Sequence, residues 1–304
     1  MKTALLLLIL VCGAGRAMAD PLADALWLAD PVGALLAASD PTDPPEATEQ
    51  RPPAHSDRGP EGFISVDYAK LLWADTVETA TGPLHWDGED WRNFGLITGG
   101  LAISIAVLDK PIRDAAQRSR SSSADDFFRN IEKFGTKQYG LPVLAGFYIV
   151  GLAGDNYNAK TVALDGFSAS VISALTTSVF KGVFGRERPN TGLGPHHWDP
   201  FGGGQSFPSG HATGAFAFAS VIAGHYDSPW VATVSYTIAS LVGVARIEQD
   251  AHWASDVVAG GLIGGLIGHH LVNFNDNWRK EHDLALMPDE IGTDGREMTF
   301  TWKF

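Results

Sequence analysis

Three short blocks of the sequence place cations, histidines and small residues at spacings that suit anion binding. The first block runs from Lys181 to Pro189 and sets Lys181 and Arg188 seven residues apart, or about two helical turns. Pro189 would then end the helix. Both cations can therefore face one point, although cations near a helix end more often cap carbonyl groups or face solvent.

The second block, Ser206 to Thr213, lies directly before a long alanine-rich apolar run. Its Pro-Ser-Gly-His sequence at a helix start would present free backbone N–H groups and the positive end of the helix dipole to an anion. The alternative is an ordinary N-cap, in which Ser206 or Ser209 accepts hydrogen bonds from backbone amides and His211 is merely a first-turn residue.

The third block, Arg246 to Asp256, precedes a glycine-rich apolar helix. His252 and Asp256 are four residues apart and share a helical face, so the carboxylate can hold one ring nitrogen and leave the other free. An oriented histidine of this kind is a nucleophile. A purely structural His–Asp pair would have the same spacing.

The three blocks together follow the pattern K-x6-R-P, P-S-G-H, S-R-x5-H-x3-D in order and spacing. The chain thereby resembles the type 2 phosphatidic acid phosphatase (PAP2) superfamily, which also contains bacterial nonspecific acid phosphatases and vanadium haloperoxidases. The resemblance covers about residues 92–274. One position departs, because Ala245 stands where the family has an auxiliary serine, which bears on fine tuning more than on activity.

The resemblance implies a role for each matched residue. The phosphate oxygens would be bound by Lys181, Arg188, Ser209, the Gly210 amide and Arg246. His252 would attack phosphorus and form a phosphohistidine, and Asp256 would fix its tautomer. His211 would protonate the leaving oxygen and then activate water. No metal or other cofactor is required.

The expected function is hydrolysis of phosphate monoesters in the cell envelope, on lipid phosphates or lipid pyrophosphates. A nonspecific periplasmic acid phosphatase acting on small soluble esters is the alternative. Two remote alternatives are a vanadate-dependent haloperoxidase, which is usually a much larger protein, and a noncatalytic anion-binding module. The partner in each catalytic case is a phosphate ester, phospholipids included, and the oligomeric state stays open.

Composition excludes other classes of protein. The chain has 304 residues, 45% of them hydrophobic and 19% charged, with a formal net charge of −13. It is too apolar for a disordered chain and lacks the basic excess of nucleic-acid-binding proteins. Lys2, the apolar run 4–11 and the small residues before Asp20 predict a signal peptide over residues 1–19. Its removal would take away Cys12, the one cysteine, and with it any thiol chemistry.

The remaining chain divides into an acidic leader, a helical domain and a tail. Residues 20–91, with 15 acidic and three basic side chains, predict a solvated linker over 38–60 and an amphipathic helix over 63–81. Residues 92–276 are predicted as an all-α, six-helix bundle, and residues 277–304 as a tail that ends in a strand-like segment, 298–304. The six apolar runs are 93–109, 139–154, 163–184, 211–225, 230–246 and 254–274.

The relation of this bundle to a membrane follows from the length of its apolar runs. Most are shorter than the roughly 20 apolar residues of a spanning helix, which favours a globular bundle in the periplasm or at the periplasmic face of the inner membrane. A spanning bundle is the alternative, in which the basic loop 110–138 would face the cytoplasm.

Overall fold

The structure is a computed structural model, which describes residues 62–226 and 228–284. Within those ranges the regular secondary structure is helical, apart from one isolated antiparallel bridge between Arg186 and Trp198. The predicted all-α class is therefore confirmed. The predicted signal peptide, acidic linker and strand-like tail lie outside the described residues.

The helices follow one another with short connections. They are α1 (Val66–Thr81), α2 (Gly88–Ile103), α3 (Asp109–Arg118), α4 (Ser122–Ile131), α5 (Lys137–Ala153), α6 (Tyr157–Phe184), α7 (Gly210–His225), α8 (Pro229–Glu248) and α9 (Ala254–Leu284). A π-helical turn, Ser104–Leu108, joins α2 to α3, so that Gly88–Arg118 forms one continuous helix of 31 residues.

The predicted number of six helices is not confirmed, because α3 and α4 lie in the segment expected to be a loop. Both are short and rich in charged and polar residues, so neither produces an apolar run in the sequence. They are stabilised locally instead. Ser121 caps α4 by accepting a hydrogen bond from the Ala124 amide, and Arg120 forms a two-bond ion pair with Asp125.

The accessory helix expected before the bundle is α1, and it packs on α6 and α9. The side chain of Ser65 caps it by accepting from the Tyr68 amide. Tyr68 and Leu71 are buried against Leu164 of α6, and the Tyr68 hydroxyl donates to the Leu164 carbonyl at 2.9 Å. Burial of these two side chains is what holds an otherwise exposed helix in place.

The centre of the bundle is the close contact of α9 with α7. Gly260, Gly264 and Gly268 recur every four residues on α9. A Cβ atom on Gly264 would lie 2.9 Å from the Thr213 carbonyl carbon, and one on Gly268 would lie 2.7 Å from the Ser220 Cβ. Only glycine allows the two backbones to approach so closely.

Four helical segments are long and apolar enough to cross a membrane: Gly88–Arg118, Tyr157–Phe184, Pro229–Glu248 and Ala254–Glu281. They exceed the apolar runs counted in the sequence because polar residues such as Lys160 and Asn275 limit those runs while the helices continue. The α2–α3 segment lies almost wholly outside the bundle, with Trp91, Leu96 and Ile103 exposed. These features indicate a membrane protein and weigh against the freely globular interpretation.

Candidate active site

The three sequence blocks meet at one end of the bundle, where α6 and α8 end and α7 and α9 begin. Lys181 lies in the last turn of α6, which stops at Gly185 in the left-handed conformation with φ 55°. A Cβ atom on Gly210, the first residue of α7, would lie 3.8 Å from the Lys181 Nζ. The lysine ammonium group therefore stands beside a helix N-terminus, where the first amides have no intrahelical partner.

The predicted phosphate-binding residues form a buried group of unpaired donors. Arg188 Nε, Arg246 Nε and Ser209 Oγ are buried, and within the described residues none has a hydrogen-bond partner. The Ser209 amide, in contrast, is used internally and donates to the Asp256 carbonyl at 3.0 Å. Because an unpaired buried donor costs about 1–3 kcal/mol, such a set is the expected environment of an oxyanion.

The tautomer of His252 is set by a backbone carbonyl. Its Nδ1 lies 2.8 Å from the Ser206 carbonyl oxygen, and the ring is buried. A carbonyl oxygen can only accept, so Nδ1 carries the hydrogen and Nε2 keeps its lone pair. Asp256, which was expected to fix this tautomer, lies 3.8 Å from Nδ1 and acts on the ring electrostatically instead.

Asp256 is instead held by three donors from other parts of the site. Arg186 Nη1 and Ser206 Oγ each donate to it at 2.5 Å, and the Trp253 amide donates at 2.9 Å. Ser206 therefore contacts both members of the His–Asp pair, one through its hydroxyl and the other through its carbonyl. This arrangement fixes the ring and the carboxylate relative to each other.

Arg186 extends this network to α3, whose first residue is Asp109. Its Nη2 donates to Asp109 Oδ2 at 2.7 Å, and the guanidinium lies 4.9 Å from the ring centre of Trp198. Asp109 also accepts from the Ser255 amide and hydroxyl, at 2.8 and 2.6 Å. Arg186 and Asp109 are fully buried, and these contacts compensate the pair together with two hydrogen bonds from Arg186 to the Pro195 carbonyl, at 3.1 and 2.7 Å.

His211 is neutral in the unliganded site. Its pKa is lowered to about 3, chiefly by burial and also by the charges of Arg246, His252, Lys181 and Arg188. The pKa of His252 is also lowered, chiefly by burial, although Asp256 opposes the shift. A neutral His252 is what nucleophilic attack needs, whereas His211 must gain a proton before it can serve as an acid.

Several residues of the site were not identified from the sequence: Asp109, Glu132, Arg186 and Ser255. Arg186 lies inside the first block, two residues before Arg188, so the block itself held a signal that was not used. Asp109 and Glu132 lie far away in sequence, and no local pattern pointed to them. Ala245, at the position of the missing serine, is fully buried in α8.

The described residues contain no group of three or more His, Cys, Asp or Glu side chains that could hold a metal ion. Lys181, Arg188 and Arg246 are the cations of the predicted phosphate site, and we call them the cationic cluster. Helix N-terminal amides add to it.

Comparison with known proteins places this geometry in a family context. The family model described as the PAP2 superfamily matches residues 163–280, which contain all three blocks. A lipid A 1-phosphatase of Rhizobium etli is 28% identical over 192 residues, or 58% of this chain and 81% of that protein. A lipid A 1-phosphatase of Porphyromonas gingivalis is 46% identical over 65 residues, which cover 21% of this chain and only 15% of that protein.

A solved structure is also similar. The crystal structure of Aquifex aeolicus LpxE matches with 24% sequence identity and a TM-score of 0.44, covering 55% of this chain and 96% of that one.

Proposed function

Because this chain belongs to the PAP2 superfamily, we propose that it is a phosphatase that hydrolyses lipid phosphate monoesters through a phosphohistidine. The observation that carries the proposal is the state of His252. Its Nδ1 hydrogen is committed to the Ser206 carbonyl, which leaves Nε2 as a free, neutral nucleophile in a site with unpaired cationic donors.

In the first step, His252 Nε2 attacks phosphorus in line, and the bond from phosphorus to the ester oxygen breaks. The leaving oxygen takes a proton from His211. In the second step, His211 takes a proton from a water molecule, which attacks phosphorus and breaks the bond to Nε2. The products are the alcohol and inorganic phosphate, and both histidines return to their starting states.

Charge spreads over the equatorial oxygens of the transferred group during both steps. The cationic cluster, Ser209 and the Gly210 amide stabilise that charge, which is how phosphoryl transfer is accelerated in a preorganised site. Negative charge from the bound phosphate also offsets the cations that depress the pKa of His211. Substrate binding thus allows His211 to hold the proton that it delivers.

Lipid phosphates are favoured over small soluble esters for two reasons. The relatives in Rhizobium etli and Porphyromonas gingivalis are both named for a lipid phosphate. The exposed apolar surface of the α2–α3 segment, which includes Trp91 and Phe94, suits contact with lipid. With the signal sequence over residues 1–19, this supports action at the periplasmic face of the inner membrane.

The proposal is tested on the full chain purified in detergent, by phosphate release from a lipid phosphate and from a sugar phosphate at equal concentration, with and without EDTA. We expect the lipid to react faster and EDTA to have no effect. Faster release from the sugar phosphate, by a protein that salt washes from membranes, would favour the acid-phosphatase alternative.

Rapid acid-free quenching with a radiolabelled substrate should trap an alkali-stable, acid-labile phosphoprotein. His252→Asn should abolish the trapped label. The exposed His269 provides a control, since it lies on α9, the helix that follows His252, and about four turns beyond Asp256; His269→Gln should keep the label. Absence of label in the active parent protein would contradict a phosphohistidine.

A further inference from the structure

Glu132 is a carboxylate bound to the cationic cluster. It pairs with Arg246 Nη1, which also donates to Gln249 Oε1 at 2.7 Å. The side chains of Arg246 and Glu132 are 11% and 23% exposed, so the pair is largely shielded from water. No sequence block contains Glu132, and a phosphatase would be expected to keep anions away from its phosphate-binding arginine.

The two edges of the Arg246 guanidinium have different roles. Nη1 is fully engaged by Glu132 and Gln249, whereas Nε is buried without a partner in the described part of the chain. A phosphate oxygen can therefore bind at Nε while Glu132 stays in place, because the planar fork presents separate donors. Glu132 is thus retained in the liganded site and contributes its charge to it.

The turn that carries Glu132 is packed against the acid side of the site. It is a 3-10 turn, Glu132–Gly135, directly after α4. A Cβ atom on Gly135 would lie 2.7 Å from Val242 Cγ1 and 3.1 Å from His211 Cβ. Since His211 protonates the leaving oxygen in the proposed mechanism, the group attached to that oxygen must leave along this turn, close to Glu132.

We propose that Glu132 is a specificity-determining residue, which selects phosphate monoesters over diphosphate esters. The inference rests on the proposed function. The negative charge of Glu132 beside the three cations leaves an excess of two positive charges. That excess balances the two negative charges that a phosphate monoester carries above its second pKa of about 6. In a diphosphate ester the second phosphate belongs to the leaving group, and Glu132 would repel it.

The test compares kcat/KM for an isoprenyl monophosphate and the matching isoprenyl diphosphate in detergent micelles. The parent protein should prefer the monophosphate. Glu132→Gln keeps a hydrogen-bond acceptor for Arg246 and removes the charge, so it should shift the ratio about tenfold or more toward the diphosphate. Glu132→Asp should retain the parent ratio, and so should the control Asp126→Asn, an equal charge change on exposed α4.

An unchanged ratio in Glu132→Gln, with both substrates slowed equally, would overturn the inference and leave Glu132 as a structural partner of Arg246. If the parent protein hydrolyses neither ester, the proposed function fails separately. The inference is then decided by calorimetric affinities for inorganic phosphate and pyrophosphate, whose ratio must shift toward pyrophosphate in Glu132→Gln.

Discussion

The Ser206 carbonyl oxygen lies 2.8 Å from His252 Nδ1, and the hydroxyl of the same serine lies 2.5 Å from Asp256 Oδ2. A single residue of the second sequence block therefore orients both members of the third. The carbonyl sets the tautomer, while the carboxylate, 3.8 Å from the ring, is placed to stabilise positive charge that develops on it.

The separate roles of the Ser206 carbonyl and the Asp256 carboxylate predict the effect of Asp256→Asn. The ring keeps its tautomer through the Ser206 carbonyl, so nucleophilic attack should persist at a reduced rate. We expect kcat to fall less than in His252→Asn, in which no nucleophile remains and activity should drop to background. Steady-state phosphate release from both variants, compared at equal folded fraction, measures the difference. Equal activities in the two variants would show that Asp256 is indispensable to attack.

Arg186 should be essential for stability as well as for activity. Arg186→Met would leave Asp109 and Asp256 buried and uncompensated, a change that typically costs about 3–5 kcal/mol. Arg113→Met is the control, because Arg113 also makes two bonds to carboxylate oxygens, both on Asp250, but its pair is partly exposed, at 29% and 15%. Denaturant unfolding in detergent should show a clearly larger loss for Arg186→Met. Similar losses would mean that the buried network adds nothing to folding.

Anion binding should be accompanied by the uptake of one proton by His211. His211 is neutral in the free protein at pH 5.5, since its pKa is lowered to about 3 by burial and by the surrounding cations. A bound dianion offsets those cations and raises the pKa, so affinity should increase as the pH falls through the raised value. Calorimetric titration with sulfate, which does not titrate in this range, should show proton uptake by its dependence on buffer.

His211→Asn should bind sulfate without this buffer dependence. Proton uptake that is unchanged in the variant would assign the proton to another group.

A second pH effect should come from Asp75, which interacts with Asp165 at the other end of the bundle. Asp165 precedes Lys181 by 16 residues on α6, or about 24 Å along the helix. There Asp75 of α1 is fully buried, and neither of its carboxylate oxygens has a partner in the described residues. The pKa of Asp75 is raised to about 7, chiefly by burial and also by the charge of Asp165, although Ser168, Arg279 and Asn275 oppose the shift.

The native protein therefore binds this proton more tightly than the unfolded chain does. Its contribution to stability is complete below the unfolded pKa of 3.8 and is lost as the pH rises to about 7. Asp75→Asn should flatten this dependence and gain stability relative to the parent protein near pH 8. Thermal unfolding in detergent between pH 4 and pH 8 checks it. Parallel pH curves for the two proteins would refute the assignment to Asp75.

Sequence patterns predicted the elements whose chemistry is local. Lys181 and Arg188 near the end of α6, and His252 and Asp256 around the start of α9, could be identified because each pair is close in sequence. The expected shared helix was wrong, since α6 ends at Phe184 rather than at Pro189 and His252 precedes α9. The contacts of Arg186 with Asp109 and of Arg246 with Glu132 join residues 77 and 114 positions apart. Such pairings are created by packing, and no periodicity in the chain records them.

The same distinction between local patterns and contacts made by packing explains which helices could be predicted. Runs of apolar residues predicted the parts of α6, α8 and α9 that face other helices or an apolar surrounding. They did not predict α3 and α4, whose stability comes from caps and charge pairs such as Arg120–Asp125. The start of α6 and the end of α9 were also missed, because polar side chains such as Lys160 and Asn275 lie just outside the apolar runs. Asn275 is nevertheless buried in the structure, where it donates to Asp165.

The glycine contact between α7 and α9 has a consequence for the two histidines, each of which lies beside the start of one of these helices. A Cβ atom on Gly260 would lie 2.6 Å from the carbonyl oxygen of Ser209, two residues before His211. The separation of the nucleophile from the acid is therefore dictated by main-chain contact rather than by the fit of side chains. A single methyl group on Gly260 would therefore increase the distance between His252, the nucleophile, and His211, the acid. Looser packing elsewhere in the bundle would leave that distance unchanged.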